Sequence, residues 1–210
     1  MGRGSWHWRG NVAAIAVALS VVAFGATSIA PAQQSLAAAP EIDMATRAAK
    51  ARTLANVYSE KLRVGVVQAL LEDGPVGAIG ACNTLAPELN TSVTDESSFE
   101  IGRTAFRVRN PDNAPDAWEL AGLENLQKAL AGGGDAKTME TYDIVTTKEG
   151  QRLFRYMRPI MMREPCMSCH GPNVAQDVKS EIAKYYTDDK AIGFNLGDLR
   201  GAFSLVQQLD

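Results

Sequence analysis

The stretch Cys166-Met167-Ser168-Cys169-His170 is the part of the sequence around which we expect the fold to be built. Two cysteines three positions apart, followed directly by a histidine, form the CxxCH pattern that is typical of covalent haem attachment. Two thiols at this spacing can each bond one vinyl group of a single porphyrin, and the adjacent histidine can bind its iron. The stretch therefore predicts one covalently bound haem c, attached through Cys166 and Cys169 and ligated by His170.

Two other interpretations of a CxxC pair are half of a zinc site and a thioredoxin-like redox pair. A structural zinc site needs four ligands, and the chain has only one further cysteine and one further histidine. A thioredoxin-like pair is expected beside a βαβ pattern, and the sequence before Cys166 predicts none. Haem attachment is the interpretation that we favour.

Residues 1–32 have the pattern of a secretory signal peptide. Arg3 and Arg9 precede an apolar run over residues 12–29, and Ala30-Pro31-Ala32 supplies small residues at a cleavage point. Residues 33–39 offer a second cleavage region, and the run is nearly long enough to stay as an uncleaved membrane anchor. We expect the segment to be cleaved. We also expect a periplasmic or otherwise exported protein, because haem c is attached outside the cytoplasm.

The charge of the chain limits the classes of partner. A formal net charge of −3 argues against nucleic acid and against an anionic membrane surface. Contact with a membrane is expected only through an uncleaved N-terminal segment.

Helical patterns dominate the first part of the sequence. Residues 41–71 favour one long helix, which either packs on the domain or pairs with a second copy in a homodimer. Asp73-Gly74-Pro75 predicts the end of this helix and the start of another. Cys82 lies on the apolar face of the second helix, and Pro87 predicts a kink or an end about one turn later.

Strands and shorter helices follow. The patterns predict a strand over residues 101–109, a helix over 116–130, a β-hairpin of 141–147 and 152–160, a helix over 174–186 and a closing strand over 202–207. Helices before, between and after the strands predict an α+β domain over residues 41–210, with a central antiparallel sheet flanked by helices.

The second axial ligand of the iron is an open question at this point. His7 lies in the predicted signal peptide, so His170 is the single histidine of the mature chain and bis-histidine ligation within one subunit is excluded. Cys82 is the odd cysteine of an exported protein, and is either a ligand or a buried small hydrophobe. The other candidates are an open position or one of the methionines Met139, Met157, Met161 and Met162.

Arginines are frequent around the predicted pocket, and one or two could pair with the haem propionates. The planar guanidinium group matches a carboxylate, although most arginines on strands simply face solvent. We select Arg103 and Arg158 as candidates, with Tyr156 as a neighbouring hydrogen-bond donor.

Several further segments carry a resemblance to a known family. They are Gly77-Ala78-Ile79 through Cys82-Asn83 with Ala86-Pro87, Arg103 through Arg107-Val108-Arg109-Asn110-Pro111 with Asn113, Tyr156 with Arg158-Pro159-Ile160, residues 166–171, and Gly197-Asp198-Leu199-Arg200-Gly201-Ala202. Together with CxxCH they resemble the Tll0287-like family of haem c-binding domains, over about residues 41–207. The resemblance implies a PAS-like fold, and His170 and Cys82 as the two iron ligands.

The implied ligands shape the functional expectation. A cysteine thiolate stabilises ferric over ferrous iron, so a low reduction potential is expected. The iron–thiolate bond can weaken on reduction, which would open a position for CO or NO. We expect a redox or diatomic-gas sensing haem domain that signals to an unidentified protein, with a periplasmic electron-transfer cytochrome and its small redox partner as the alternative. An enzyme is not expected, because the mature chain has no second histidine to act as a distal acid–base group.

Overall fold

Residues 43–209 are described by the computed structural model, and they lie within the unit Ile42–Asp210. The predicted signal peptide, its cleavage points and the alternative membrane anchor fall outside the described residues. No helix within residues 43–209 combines the length and the apolar character that crossing a membrane requires.

Helix α1, Met44–Glu96, consists of two helical halves joined at Gly74. Gly74 has φ 68° and ψ −175°, a backbone conformation that is essentially restricted to glycine. The Leu85 side chain lies against Gly65, whereas residues twenty positions apart in a straight helix would be separated by about 30 Å. The two halves therefore fold back on each other as a helical hairpin, and the predicted turn at residues 73–75 is confirmed.

Pro87 predicted a kink or an end about one turn later, but the second half of α1 does not end there. It continues to Glu96, and Gly74 is the position where the backbone angles leave the helical region. Ala86, directly before the proline, and Val93, nearly two turns after it, are both buried. Tertiary packing on both sides of Pro87 compensates for the one backbone hydrogen bond that proline cannot make.

Four strands form one antiparallel sheet in the order β1-β4-β3-β2. Their bounds are Glu100–Thr104 for β1, Thr141–Thr146 for β2, Arg152–Met161 for β3 and Leu199–Leu209 for β4. The β2–β3 hairpin is confirmed, and β4 starts earlier than predicted. Strand β1 is shorter than predicted because residues 105–109 leave the sheet and follow the loop before β4, where the Lys190 N–H donates to the Val108 carbonyl at 3.0 Å.

Three further helices complete the domain: α2 at Ala117–Ala131, α3 at Met167–His170 and α4 at Gln176–Tyr185. Helix α2 begins at a capping box in which Asp116 and Glu119 each accept the other's backbone N–H. Short 3-10 helices cover Pro111–Asn113 and Glu164–Cys166. The predicted helices at 116–130 and 174–186 are therefore confirmed to within two residues.

The two faces of the sheet are covered by different helices. On one face, the first half of α1 packs through Ala51, Ala55 and Tyr58 against a cluster that contains Tyr156 and Leu205. On the other face, α2 packs against Met157 and Ala202 through its buried leucines. A central antiparallel sheet flanked by helices, with a long helix at the start, confirms the α+β prediction.

Candidate functional site

A cavity of about 530 Å³ lies between α1, the sheet and the CxxCH segment. This volume falls in the range of pockets for small molecules and cofactors, roughly 300–1,000 Å³. Both halves of α1 contribute to its wall, as do residues at the ends of β1, β3 and β4. The structure brings six of the predicted site residues to its lining: Cys82, Arg103, Arg158, Cys166, Cys169 and His170.

The CxxCH segment folds into a 3-10 turn followed by the single turn of α3. Gly171 ends this turn at a point where a Cβ atom would lie only 2.6 Å from the Met167 carbonyl oxygen. The Phe194 N–H donates to the His170 carbonyl at 3.0 Å, and the Gly193 N–H donates to that of Gly171 at 3.0 Å. The loop before β4 therefore holds the attachment segment against the cavity.

The imidazole of His170 is oriented by one hydrogen bond. Its Nδ1 atom lies 2.6 Å from the Ala191 carbonyl oxygen. Because a carbonyl can only accept, Nδ1 must carry the proton, and Nε2 keeps its lone pair. This is the arrangement in which metal-binding histidines are usually found.

Burial lowers the pKa of His170 well below its usual value of 6.5, and the charges of Arg200 and Arg109 lower it further. The ring is therefore neutral at physiological pH, which is the state that a metal requires.

The pKa values of the cavity thiols depend on burial and on the charges of nearby arginines. Burial raises the pKa of Cys82 above its usual value of 9.0, while the charges of Arg103 and Arg109 partly oppose the rise. Burial also raises the pKa of Cys169, and the proximity of Cys82 contributes to that rise. Cys82 is therefore a protonated thiol at neutral pH, and it would lose its proton on binding iron.

Strand register explains how Arg103 and Arg158 reach the same cavity. Phe203 on the central strand β4 pairs with Arg103 of β1 on one side and with Arg158 of β3 on the other. The three residues form one row across the sheet, with the arginines about 10 Å apart. Arg158 donates to the side-chain oxygen of Asn56 and to the Lys137 carbonyl at 3.3 Å.

Arg109 and Arg200 also line the cavity, and neither was selected from the sequence. Their buried Nε atoms have no hydrogen-bond partner within residues 43–209. Burial and the charges of Arg109 and Arg103 lower the pKa of Arg200 to about 10. Arg109 and Arg200 both lie in segments that carry the family resemblance, which was the one signal that could have identified them.

The cavity has an excess of positive charge. Within residues 43–209, Arg103, Arg158 and Arg200 have no ion-pair partner, whereas Arg109 is paired with Asp189. A chain with a net charge of −3 thus presents unneutralised guanidinium groups to one cavity. Such a lining fits an apolar ring that carries carboxylates, as haem does.

Tyr156 is not brought together with the other predicted residues. It is fully buried under α1, and it does not line the cavity. Its hydroxyl donates to Glu140 Oε2 at 2.7 Å, and Glu140 also accepts from Arg52. The hydroxyl is therefore engaged in the contact between α1 and the sheet.

The structure also separates the candidate methionines. Met161 lines the cavity. Met157 is buried on the opposite face of the sheet against α2, with Met139 packed beside it, and Met162 packs with Ala191 and Phe194. In the described part of the chain, no three His, Cys, Asp or Glu side chains are grouped as a metal site.

Comparisons with known proteins give a family and a fold. The chain matches the Tll0287-like family over residues 27–207. It is similar to the crystal structure of the cyanobacterial heme-protein Tll0287, with 22% sequence identity and a TM-score of 0.59. That match covers 79% of this chain and 96% of the other, and at this identity it establishes a shared fold. No curated protein matches this chain.

Proposed function

The chain belongs to the Tll0287-like family, and from this premise we propose that it is an exported protein with one covalently bound haem c that senses redox state or a diatomic gas. Cys166 and Cys169 would attach the haem, and His170 and Cys82 would bind its iron. The observation that carries the proposal is the convergence of these four side chains on one cavity. The heme-protein Tll0287, whose fold this chain shares, supports haem as the ligand class.

His170 is the better prepared of the two proposed iron ligands. It is neutral, its Nδ1 proton is held by Ala191, and the Nε2 lone pair is not used in that bond. Cys82 belongs to the second half of α1, whereas His170 belongs to α3, so the two proposed ligands line the cavity from different elements. Arg103, Arg158 and Arg200 supply positive charge for the two propionates.

Bound haem would supply a one-electron couple and a site for diatomic ligands, and the protein would control both through its iron ligands. An anionic thiolate from Cys82 favours the ferric state. The neighbouring guanidinium groups work in the opposite direction, because positive charge favours the reduced form. We expect a low reduction potential that the guanidinium groups partly raise. We also expect the bond between the iron and Cys82 to be weakest in the ferrous protein.

The test compares the purified holoprotein with its Cys82→Ala variant by optical and ferric EPR spectroscopy. We expect a low-spin thiolate signal in the wild type and its loss in the variant, while haem stays attached. Met161→Leu is the matched control, since Met161 lines the same cavity and is the competing ligand. An unchanged signal in Cys82→Ala, or its loss in Met161→Leu, would contradict the assignment of Cys82.

Covalent attachment is tested separately with the double variant Cys166→Ala and Cys169→Ala. Acid–organic extraction should remove haem from this variant and leave it on the wild type.

A potential titration with and without CO or NO then distinguishes the two functions. A high potential without gas binding would favour the electron carrier over the sensor.

A further inference from the structure

A closed ring of contacts joins the CxxCH segment to the loop before β4. Arg109 Nη2 donates to the Cys169 carbonyl at 2.6 Å and pairs with Asp189 Oδ2 at 3.1 Å. Asp189 Oδ1 accepts the N–H of Ala191 at 2.8 Å. The ring closes at the Ala191 carbonyl, which lies 2.6 Å from Nδ1 of His170, the neighbour of Cys169.

The central pair of this ring is shielded from water. The side chains of Arg109 and Asp189 are each only 12% exposed. In such a site the two charges attract each other more strongly than at the surface, and the loss of one partner leaves the other as an uncompensated buried charge. The pair is therefore suited to hold the loop in one position.

The loop around Ala191 is held at several points, and the Ala191 side chain itself is buried beside Met162 and Phe194. Its neighbours Lys190, Gly193 and Phe194 are held through backbone hydrogen bonds to residues 108, 171 and 170. At Ala191 itself, the amide is held by the Asp189 carboxylate while the carbonyl accepts from the imidazole. The side chain of Asp189, two residues earlier, is therefore the polar group that orients the backbone at Ala191.

We propose that Asp189 is a positioning residue for His170. By holding the Ala191 amide and Arg109 together, Asp189 places the carbonyl that keeps the proton on Nδ1 and leaves Nε2 available for the iron. Because Arg109 is tied to the Cys169 carbonyl, the same contacts set the position of the attachment segment relative to the loop. The consequence for iron rests on the proposed function, whereas the contacts of Asp189 do not.

The experiment uses the full-length protein, purified as it is produced, in three variants. Asp189→Ala removes both contacts of the carboxylate, and Asp189→Asn keeps an acceptor for Ala191 but loses the ion pair with Arg109. Asp188→Ala is the matched control, because Asp188 is 70% exposed and its ion pair is with Lys190. Hydrogen exchange of the peptide that contains Ala191 and ferric EPR are measured for each, with circular dichroism to verify folding.

In Asp189→Ala we expect exchange at Ala191 to be roughly tenfold faster, the change that follows from loss of one buried hydrogen bond. We also expect shifted EPR g values. Asp189→Asn should protect the amide better than Asp189→Ala but still shift the g values, and Asp188→Ala should resemble the wild type.

Unchanged exchange in folded Asp189→Ala would overturn the inference, and so would an equal effect in Asp188→Ala. If Asp189→Ala fails to fold, normal exchange and g values in folded Asp189→Asn would overturn the role of the ion pair. Hydrogen exchange reads the loop whether or not haem is bound. A protein without haem would therefore defeat the proposed function and still leave a result for Asp189.

Discussion

Individual side chains set the electrostatic character of the cavity. His170 and Cys82 are both driven to their neutral forms by burial, and the arginines affect them in opposite ways. Positive charge disfavours the imidazolium of His170 and favours the thiolate of Cys82. Guanidinium groups near both proposed ligands therefore prepare each of them for a metal.

The positive charge of Arg200 is expected to affect the reduction potential of a bound haem. Its pKa of about 10 keeps it charged at neutral pH. The charge of Arg200 is close enough to His170 to lower the pKa of its ring, and a positive charge near a bound haem iron would stabilise the ferrous form. Arg200→Gln should therefore lower the potential of the bound haem by a few tens of millivolts, on the order of the screened Coulomb energy at such a site. Spectroelectrochemical titration measures the shift. Arg47→Gln serves as control, because Arg47 bonds Gln207 and does not line the cavity, and an unchanged potential in Arg200→Gln would contradict the prediction.

Among the elements, the helical hairpin of α1 decides where Cys82 lies. The first half packs on the sheet, and the second half returns along it with Ala78, Ile79 and Cys82 at the cavity. The return depends on the backbone angles of Gly74, which most residues do not adopt.

Gly74→Ala should therefore lower the free energy of unfolding by about 1–3 kcal/mol. A Cβ atom at Gly74 would meet nothing within 4 Å, so the cost is backbone strain rather than steric overlap. Urea unfolding followed by circular dichroism measures the change. Gly80→Ala is a matched control in the same helix, where the nearest atom would be 3.6 Å away and alanine has the better helix propensity. Equal stability of the two variants would show that the angles of Gly74 are not required.

At the scale of the whole molecule, Glu140 connects α1 to the sheet. It accepts from Nε of Arg52 on α1 at 2.7 Å and from the hydroxyl of Tyr156 on β3 at 2.7 Å. The hydrogen bond from Arg52 is the main cause that lowers the pKa of Glu140, and burial partly opposes it. Protonation of one carboxylate would thus weaken the packing of α1 on the sheet.

This connection predicts a specific acid sensitivity. As the pH falls below 4.5, the unfolded chain binds a proton at Glu140 before the folded chain does. The stability that Glu140 contributes is therefore lost between pH 4.5 and its lower folded pKa. Glu140→Gln should cost about 1–3 kcal/mol at pH 7, and its stability should fall less than that of the wild type in this acid range.

Urea unfolding at pH 7 and across the acid range measures both effects. Glu124→Gln is the control, because Glu124 is exposed on α2. An identical acid profile for the wild type and Glu140→Gln would refute this role of Glu140.

Local patterns in the sequence were sufficient for much of this description. The CxxCH motif, the glycine turn of α1 and the β-hairpin each depend on neighbouring residues, and such features can be identified from short segments. The odd cysteine could be identified by counting, and the family resemblance assigned it a role that stays a prediction. The sequence by itself determined the α+β class, the family and the residues around which a site could form.

Only the tertiary structure decided which side chains meet in the cavity. Arg109 reaches the Cys169 carbonyl across 60 positions, and Arg103 joins Arg158 through the register of a third strand. Tyr156 was a plausible neighbour by sequence, yet α1 covers it and Glu140 engages its hydroxyl. Contacts of this kind depend on how packed elements cross and pair, which leaves no periodic signal in the sequence. The residues that hold His170 in place, Asp189 and Ala191, could therefore be found only from the folded chain.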